Sequence, residues 1–131
     1  WINGSPSGVF MSTGYITYNS VGNLSSNQYF RMGGGLAGST YAWAASIMPR
    51  ACTITGITAG VNIASGTGAG WTFTIYRNAA SSGVTVSCLG STITNRTATS
   101  ISCALYDTIA VHITQVGGAT VPVGYVTLEY V

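Results

Sequence analysis

Charged residues are scarce in this 131-residue sequence, and their scarcity excludes several kinds of protein. They make up 5% of the chain, against roughly 25% in an average soluble domain, and lysine is absent. Four scattered arginines cannot form the cationic stripe that nucleic-acid binding requires, so we expect no nucleic-acid partner. Intrinsic disorder is excluded as well, because 47% of the residues are hydrophobic.

Ionisable groups for catalysis are equally few. The chain has one histidine, His112, and two acidic residues, Asp107 and Glu129. A Ser-His-Asp triad or a glycosidase carboxylate pair would have to use nearly all of them. We therefore predict no enzyme activity, no catalytic residue, no metal site and no cofactor. His112 is expected at a surface or interface, Asp107 in a turn where it caps backbone N–H groups, and Glu129 on an outward-facing strand position.

Long hydrophobic runs are also missing. The longest weakly polar stretch, residues 36–48, is shorter than the roughly 18 apolar residues that a membrane span needs. We expect no membrane span. The sequence starts at Trp1 rather than methionine, and we expect that a preceding segment was removed.

Hydrophobic residues instead alternate with a period of two, which is typical of β-strands. In residues 70–78, Trp71, Phe73 and Ile75 share one face of the predicted strand. Similar runs cover residues 57–63, 83–88, 100–105, 108–116 and 124–131, with Gly- and Ser-rich turns between them. Residues 39–48 are a further candidate strand. Short strands at this spacing predict a β-sandwich or barrel.

Residues 1–8, WINGSPSG, read as an extended arm that precedes a single domain formed by residues 9–131. Trp1 and Ile2 form an apolar tip on a polar tether. Such a tip suits insertion into a neighbouring subunit, and we predict that this assembly arm contacts another copy. The alternative is that the arm folds back on its own sandwich.

Three cysteines indicate one disulfide and one remaining thiol, and they fit an oxidising, exported location. Cys88 and Cys103 both fall on inward faces of strands that could be neighbours, so we predict a bridge between them. It would close about 15 residues and contribute roughly 3 kcal/mol. Cys52 is then either a buried free thiol or a link between subunits. No cysteine spacing matches a zinc site.

Some aromatic residues fall outside the predicted core. Exposed aromatic rings stack on sugars, and they also dominate protein interfaces. Sugar platforms usually add acidic residues, which are nearly absent here, so we favour an interface over carbohydrate binding. The candidate residues are Tyr15, Tyr18, Tyr41, Tyr76 and Tyr106. Glycosylation acceptor patterns start at Asn3, Asn23 and Asn95.

Residues 48–131 resemble a jelly-roll module found at the ends of bacterial and phage surface fibres, of the tumour-necrosis-factor-like and complement-head-like type. The similar segments are MPRACTITGITAGVNI, ASGTGAG, WTFTIYRNAAS, VTVSCLG, SISCALYDTIAVHIT and YVTLEYV. The family's Gly-Asp before the penultimate strand is Tyr106-Asp107 here. The resemblance implies an all-β, antiparallel, jelly-roll-like β-sandwich of about eight to ten strands. It also implies a secreted or virion-borne, non-catalytic module that self-associates, often as a trimer.

The low charge of the sequence also favours a protein that self-associates. A net charge of +2 with a mean hydropathy of +0.40 gives a free monomer little protection against association. Either hydroxyls and glycans keep the surface wet, or an assembly buries much of it, and we favour the assembly. We predict a secreted structural subunit that self-assembles into an extracellular surface appendage or filament. The alternatives are a phage or virus decoration or fibre-head module, and a carbohydrate-binding module.

Overall fold

The computed structural model describes residues 13–131, so the predicted arm of residues 1–8 lies outside the described residues. The described chain is all-β apart from one 3-10 turn, Tyr41–Trp43. Its nine strands are β1 (Gly14–Asn23), β2 (Gln28–Tyr29), β3 (Ser46–Ile47), β4 (Cys52–Val61), β5 (Gly66–Arg77), β6 (Ala80–Gly90), β7 (Thr94–Cys103), β8 (Thr108–Val116) and β9 (Val123–Tyr130).

The strands form two antiparallel sheets that pack face to face. The first sheet has the order β1-β9-β4-β7, and the second has the order β2-β8-β5-β6, with β3 also paired to β8. From β4 onward the chain crosses between the sheets at every connection except the hairpin that joins β5 to β6. This architecture is a jelly-roll-like β-sandwich, and the predicted fold class is confirmed.

The core lies between the two sheets and follows the predicted alternation. Trp71, Phe73 and Ile75 of β5 are fully buried, as are the alternating isoleucines and valine of β8, Ile109, Val111 and Ile113. The Phe73 ring packs against Phe30, with 5.7 Å between the ring centroids. Burying large apolar side chains in register on both sheets supplies the main driving force for the sandwich.

Two stretches depart from the predicted pattern. Residues 39–48 form the 3-10 turn and the two-residue β3 rather than one longer strand. Leu105 does not join the inward face of Ile101 and Cys103, because β7 ends at Cys103 and leaves Leu105 exposed in the following turn.

The sandwich has two ends of different chemistry. Four connections meet at one end of the sandwich: residues 24–27, 62–65, 91–93 and 117–122. None of these loops carries a charged side chain, so we call this end the charge-free end. The opposite end holds residues 48–51, 78–79 and 104–107, together with Arg77. We call it the charged end because Arg50, Arg77 and Asp107 lie there.

Candidate assembly surface

The charge-free end exposes apolar side chains on a braced set of loops. Ile63, Ile93, Val121 and Tyr125 are each between 46% and 51% exposed. Ile93 and Tyr125 lie beside Gly60. A Cβ atom added to Gly60 would be 3.6 Å from the Ile93 carbonyl oxygen and 3.9 Å from the Tyr125 ring. This cluster of uncharged, partly exposed apolar residues has the composition of an interface core.

Hydrogen bonds hold these loops to one another and to the core. The Trp71 indole N–H donates to the Thr120 carbonyl at 2.8 Å, and the Thr120 hydroxyl donates to the Ala64 carbonyl at 3.2 Å. The Val61 N–H donates to the Ile93 carbonyl at 2.8 Å. Because the backbone is fixed in this way, the apolar side chains form a preorganised surface, which lowers the entropy cost of binding.

An apolar groove lies near the charged end, between edge strand β1 and β3. Its volume is about 360 Å³, and Tyr15, Ile47, Met48 and Tyr130 are among its lining residues. Tyr15 and Ile47 are 63% and 64% exposed. Arg50 is the charged residue of the lining, and its guanidinium carbon lies 6.0 Å from the centroid of the Tyr130 ring. The groove can therefore accept an apolar segment of a partner.

Strand β1 also presents unpaired backbone groups along this groove. Its partner on one side is β9, and the Asn19 carbonyl on its other side accepts a hydrogen bond from the Gly35 N–H at 3.0 Å. Successive residues of a strand direct their backbone N–H and C=O groups to opposite sides. The backbone groups of Tyr15 and Thr17 therefore point to the same side as those of Asn19, away from β9. No backbone partner for them lies within residues 13–131. An open strand edge of this kind is a template for pairing with another chain.

The five predicted interface tyrosines have different positions. Tyr15 lines the groove, and Tyr106 is 75% exposed in the turn at the charged end, so both can contact a partner. Tyr18 cannot, because it is 3% exposed and belongs to the core between the sheets. Burial raises the pKa of Tyr18 to about 12.

Tyr41 and Tyr76 lie together with Tyr29 and His112 on the outer face of the second sheet. The Tyr29 ring is edge-on to both, at centroid distances of 5.6 Å to Tyr41 and 5.5 Å to Tyr76. These crossed rings do not form the single flat platform that stacking on a sugar requires. The cluster instead buries Ala110, a residue that the strand alternation placed on the outer face.

His112 is part of this cluster rather than of a polar site. Its ring centroid lies 4.8 Å from that of Tyr29 and 5.1 Å from that of Tyr76. Burial lowers the pKa of His112, so the ring is neutral at pH 7.

The two carboxylates have separate partners. Asp107 accepts hydrogen bonds from the Asn78 amide at 2.9 Å and the Ala104 N–H at 2.8 Å, as expected for a turn residue. Glu129 forms a two-bond ion pair with Arg96, at 2.7 Å and 3.2 Å. These bonds from Asn78 and Arg96, respectively, are the main cause of the lowered pKa of each carboxyl group. The structure does not bring either carboxylate to His112.

The cysteines are not paired as predicted. All three are free thiols, and Cys88 lies on β6 of the second sheet whereas Cys103 lies on β7 of the first. Both cysteines face the core. The alternation of residues along a strand indicates on which face a residue lies, but not which strands are neighbours. The residue opposite Cys103 is Cys52, on β4.

Two of the three glycosylation patterns fall within the described residues. Asn23 and Asn95 are both exposed, and the Asn95 amide donates to the Ser87 carbonyl at 2.8 Å. Asn3 lies outside the described residues.

The apolar side chains of the charge-free end were not predicted from the sequence. The signal was present as four turn segments without charge, 24–27, 62–65, 91–93 and 117–122. Their meeting at one end depends on the alternation of strands between the sheets, which periodicity does not reveal.

Residues 13–131 contain no helix with the length and hydrophobicity needed to cross a membrane. Within the same residues, histidine, cysteine and acidic side chains form no group of three that could hold a metal ion. In comparisons with known proteins, no family model matches the sequence, and no curated protein is significantly similar to it.

Proposed function

We propose that this protein is a non-catalytic structural subunit that assembles end to end into a filament or surface appendage outside the cell. The observation that carries the proposal is the charge-free end, where Ile63, Ile93 and Val121 are exposed on fixed loops beside the exposed Tyr125 of β9. Burying them would release apolar surface from water at roughly 25 cal/mol per Å². No charged side chain of the four loops would lose its hydration.

The opposite end supplies a complementary surface. The apolar groove beside β1 lies near the charged end, so the two apolar surfaces of one subunit lie at different ends of the sandwich. A contact between the charge-free end of one copy and the groove of the next is heterologous. Heterologous contacts that do not close into a ring generate open filaments.

The predicted arm fits the same arrangement. The chain enters β1 at Gly14, at the charged end, where the proposed contact would place the next subunit. Trp1 and Ile2 would then add apolar contacts across the junction, and the arm backbone would gain partners at a strand edge.

Several features support a non-catalytic role. Asp107 and Glu129 each serve the local fold, and His112 is packed among tyrosines. General acid–base chemistry needs ionisable groups that converge on one substrate position.

A closed trimer, as in a fibre-head or virion decoration module, is the second candidate. It is favoured by the jelly-roll-like strand order, which agrees with the fold implied by the resemblance of residues 48–131. A trimer would use a cyclic contact and would stop growing after three copies.

The assembly state of the purified protein tests the proposal. We expect regular particles far larger than the 13.4 kDa chain in light scattering, and filaments in negative-stain images. A discrete trimer would favour the second candidate, and a stable monomer would refute both.

Charge substitutions locate the interface. Ile93→Asp with Val121→Asp places two carboxylates on the charge-free end, and we expect the protein to remain folded but monomeric. Ser100→Asp is the matched control, because Ser100 is exposed on β7 away from this end. Loss of assembly in both variants would show that added charge alone, and not its position, prevents association.

A further inference from the structure

Cys52 and Cys103 occupy directly opposite positions on the neighbouring antiparallel strands β4 and β7. The register continues regularly through Thr53 with Ser102 and Ile54 with Ile101, before a bulge near Gly56. Directly opposed residues have Cα atoms about 4.5–5.5 Å apart, within the roughly 4.4–6.8 Å that a disulfide spans. Their side chains point to the same side of the sheet, so the two sulfur atoms can meet without a change in backbone.

The two thiols differ in how easily a reagent reaches them. Cys52 is half-buried and lines the groove, whereas Cys103 is 2% exposed. The Cys52 sulfur lies 3.8 Å from that of Met48. Burial is the main cause that raises the pKa of Cys103 to about 11, and the neighbouring Cys52 adds to the rise. Cys52 is therefore the thiol that an oxidant meets first.

We propose that Cys52 and Cys103 form an intramolecular disulfide when the protein meets a small-molecule disulfide such as oxidised glutathione. The Cys52 thiolate attacks one sulfur of the oxidant, which forms a mixed disulfide and releases one glutathione thiolate. Cys103 then loses its proton to solvent and attacks the Cys52 sulfur, which releases the second glutathione. Two protein thiols are oxidised and one glutathione disulfide is reduced to two thiols: Cys52 and Cys103 each release a proton to solvent, and each departing glutathione thiolate takes one up.

This bridge lies within one subunit. It joins the start of β4 to the end of β7 and closes a loop of about 50 residues, which restricts the unfolded chain strongly. It also uses Cys52 within its own subunit, so Cys52 would not link subunits. Cys88 remains a single buried thiol on the other sheet.

The test uses the wild-type protein with oxidised glutathione at mildly alkaline pH. We expect the intact mass to fall by two hydrogen atoms and non-reducing peptide mapping to join the peptides of Cys52 and Cys103. After denaturation, one thiol should still react with an alkylating agent. The midpoint of thermal unfolding should rise on the order of 10 °C and return after reduction. Oxidation should be faster at higher pH, because Cys103 must lose its proton.

Single substitutions provide the matched controls. Cys88→Ala should still lose two hydrogen atoms, whereas Cys52→Ala should not. A persistent glutathione adduct on Cys52, a dimer cross-linked through it, a bridge that includes Cys88, or three unreacted thiols in the wild-type protein would each overturn the proposal. The wild-type measurement does not depend on whether any variant folds.

Discussion

The two ends of the sandwich are closed by different means. At the charged end, side chains form the turns: Asp107 accepts from the Asn78 side-chain amide and the Ala104 N–H, and the Asn78 side-chain amide oxygen accepts from the Thr108 N–H at 2.9 Å. At the charge-free end, uncharged side chains close the loops together with backbone groups: the Gln115 amide donates to the Ala119 carbonyl at 3.0 Å, and the Asn62 side-chain amide oxygen accepts from the Val123 N–H at 2.9 Å. Gly117 has a φ of 60°, and its α-carbon faces the Gly68 carbonyl closely.

This difference separates side chains that maintain the fold from those available to a partner. Asp107 and Asn78 at the charged end are used within the chain, and Arg77 donates to the Ser102 carbonyl. At the charge-free end, backbone groups and uncharged polar side chains close the loops, and the apolar side chains of Ile63, Ile93 and Val121 remain exposed. Surface residues that the fold does not use are the first candidates for intermolecular contact.

The largest effect should come from removing the arm. Deleting residues 1–8 removes the predicted assembly arm with Trp1 and Ile2, and we expect complete loss of large particles from a protein that is still folded. Light scattering and circular dichroism measure the two properties. Full-length polymers from the truncated protein would show that the two sandwich ends suffice for assembly without the arm.

Within the charge-free end, Gly117→Ala should destabilise the fold. Alanine would adopt a left-handed φ, and its Cβ would lie 2.8 Å from the Gly68 carbonyl oxygen. The free energy of unfolding should fall by about 2–3 kcal/mol, measured by denaturant unfolding. Gly118→Ala is the control, because a Cβ there meets nothing within 4 Å. Equal losses in both variants would contradict this explanation.

At the charged end, a substitution to glycine should stabilise the fold. The hairpin between β5 and β6 turns through Asn78 and Ala79, with φ values of 51° and 66°. Both lie in the left-handed region, where an Asn-Gly turn is preferred. Ala79→Gly should therefore raise the free energy of unfolding by about 1 kcal/mol. Ala80→Gly, in the adjoining strand, should lower it, and a loss in both variants would argue against strain at Ala79.

The smallest effect concerns His112, which lies on a sheet face between the two ends. Burial lowers its pKa in the folded protein, so the unfolded chain binds a proton first as the pH falls below about 6.5. Stability should decrease slightly from pH 7.5 to 5.5. The groups that face the ring are Tyr29, Tyr76 and the Thr114 hydroxyl. His112→Gln should remove the decrease, and an unchanged pH profile in that variant would assign it to another group.

Sequence periodicity predicted the faces of the long strands because each is buried on one side. Trp71, Phe73 and Ile75 are buried as predicted, and Glu129 faces away from the core in its pair with Arg96. The alternation also placed Ala110 on the outer face of β8, where Tyr29 and its neighbours cover it. The alternation of hydrophobic residues in β8 does not indicate that a segment distant in sequence covers its outer face.

The candidate sites were harder to predict because they depend on which strands are neighbours. Cys103 was correctly placed on an inward face, but its opposite residue is Cys52 because β7 pairs with β4. Tyr18 was expected at an interface, yet its strand turns it into the core between the sheets. Both outcomes follow from strand order, which arises from long-range contacts and not from local pattern.

The position of β9 has a consequence for synthesis. β9 lies between β1 and β4, so the first sheet remains in two pieces until residues 123–130 leave the ribosome. Until then β1 lacks its neighbour, and one edge of β4 is open to pairing with another nascent chain. Contacts between segments so distant in sequence also form slowly. A chain released before β9 is made therefore keeps two strand edges open to pairing.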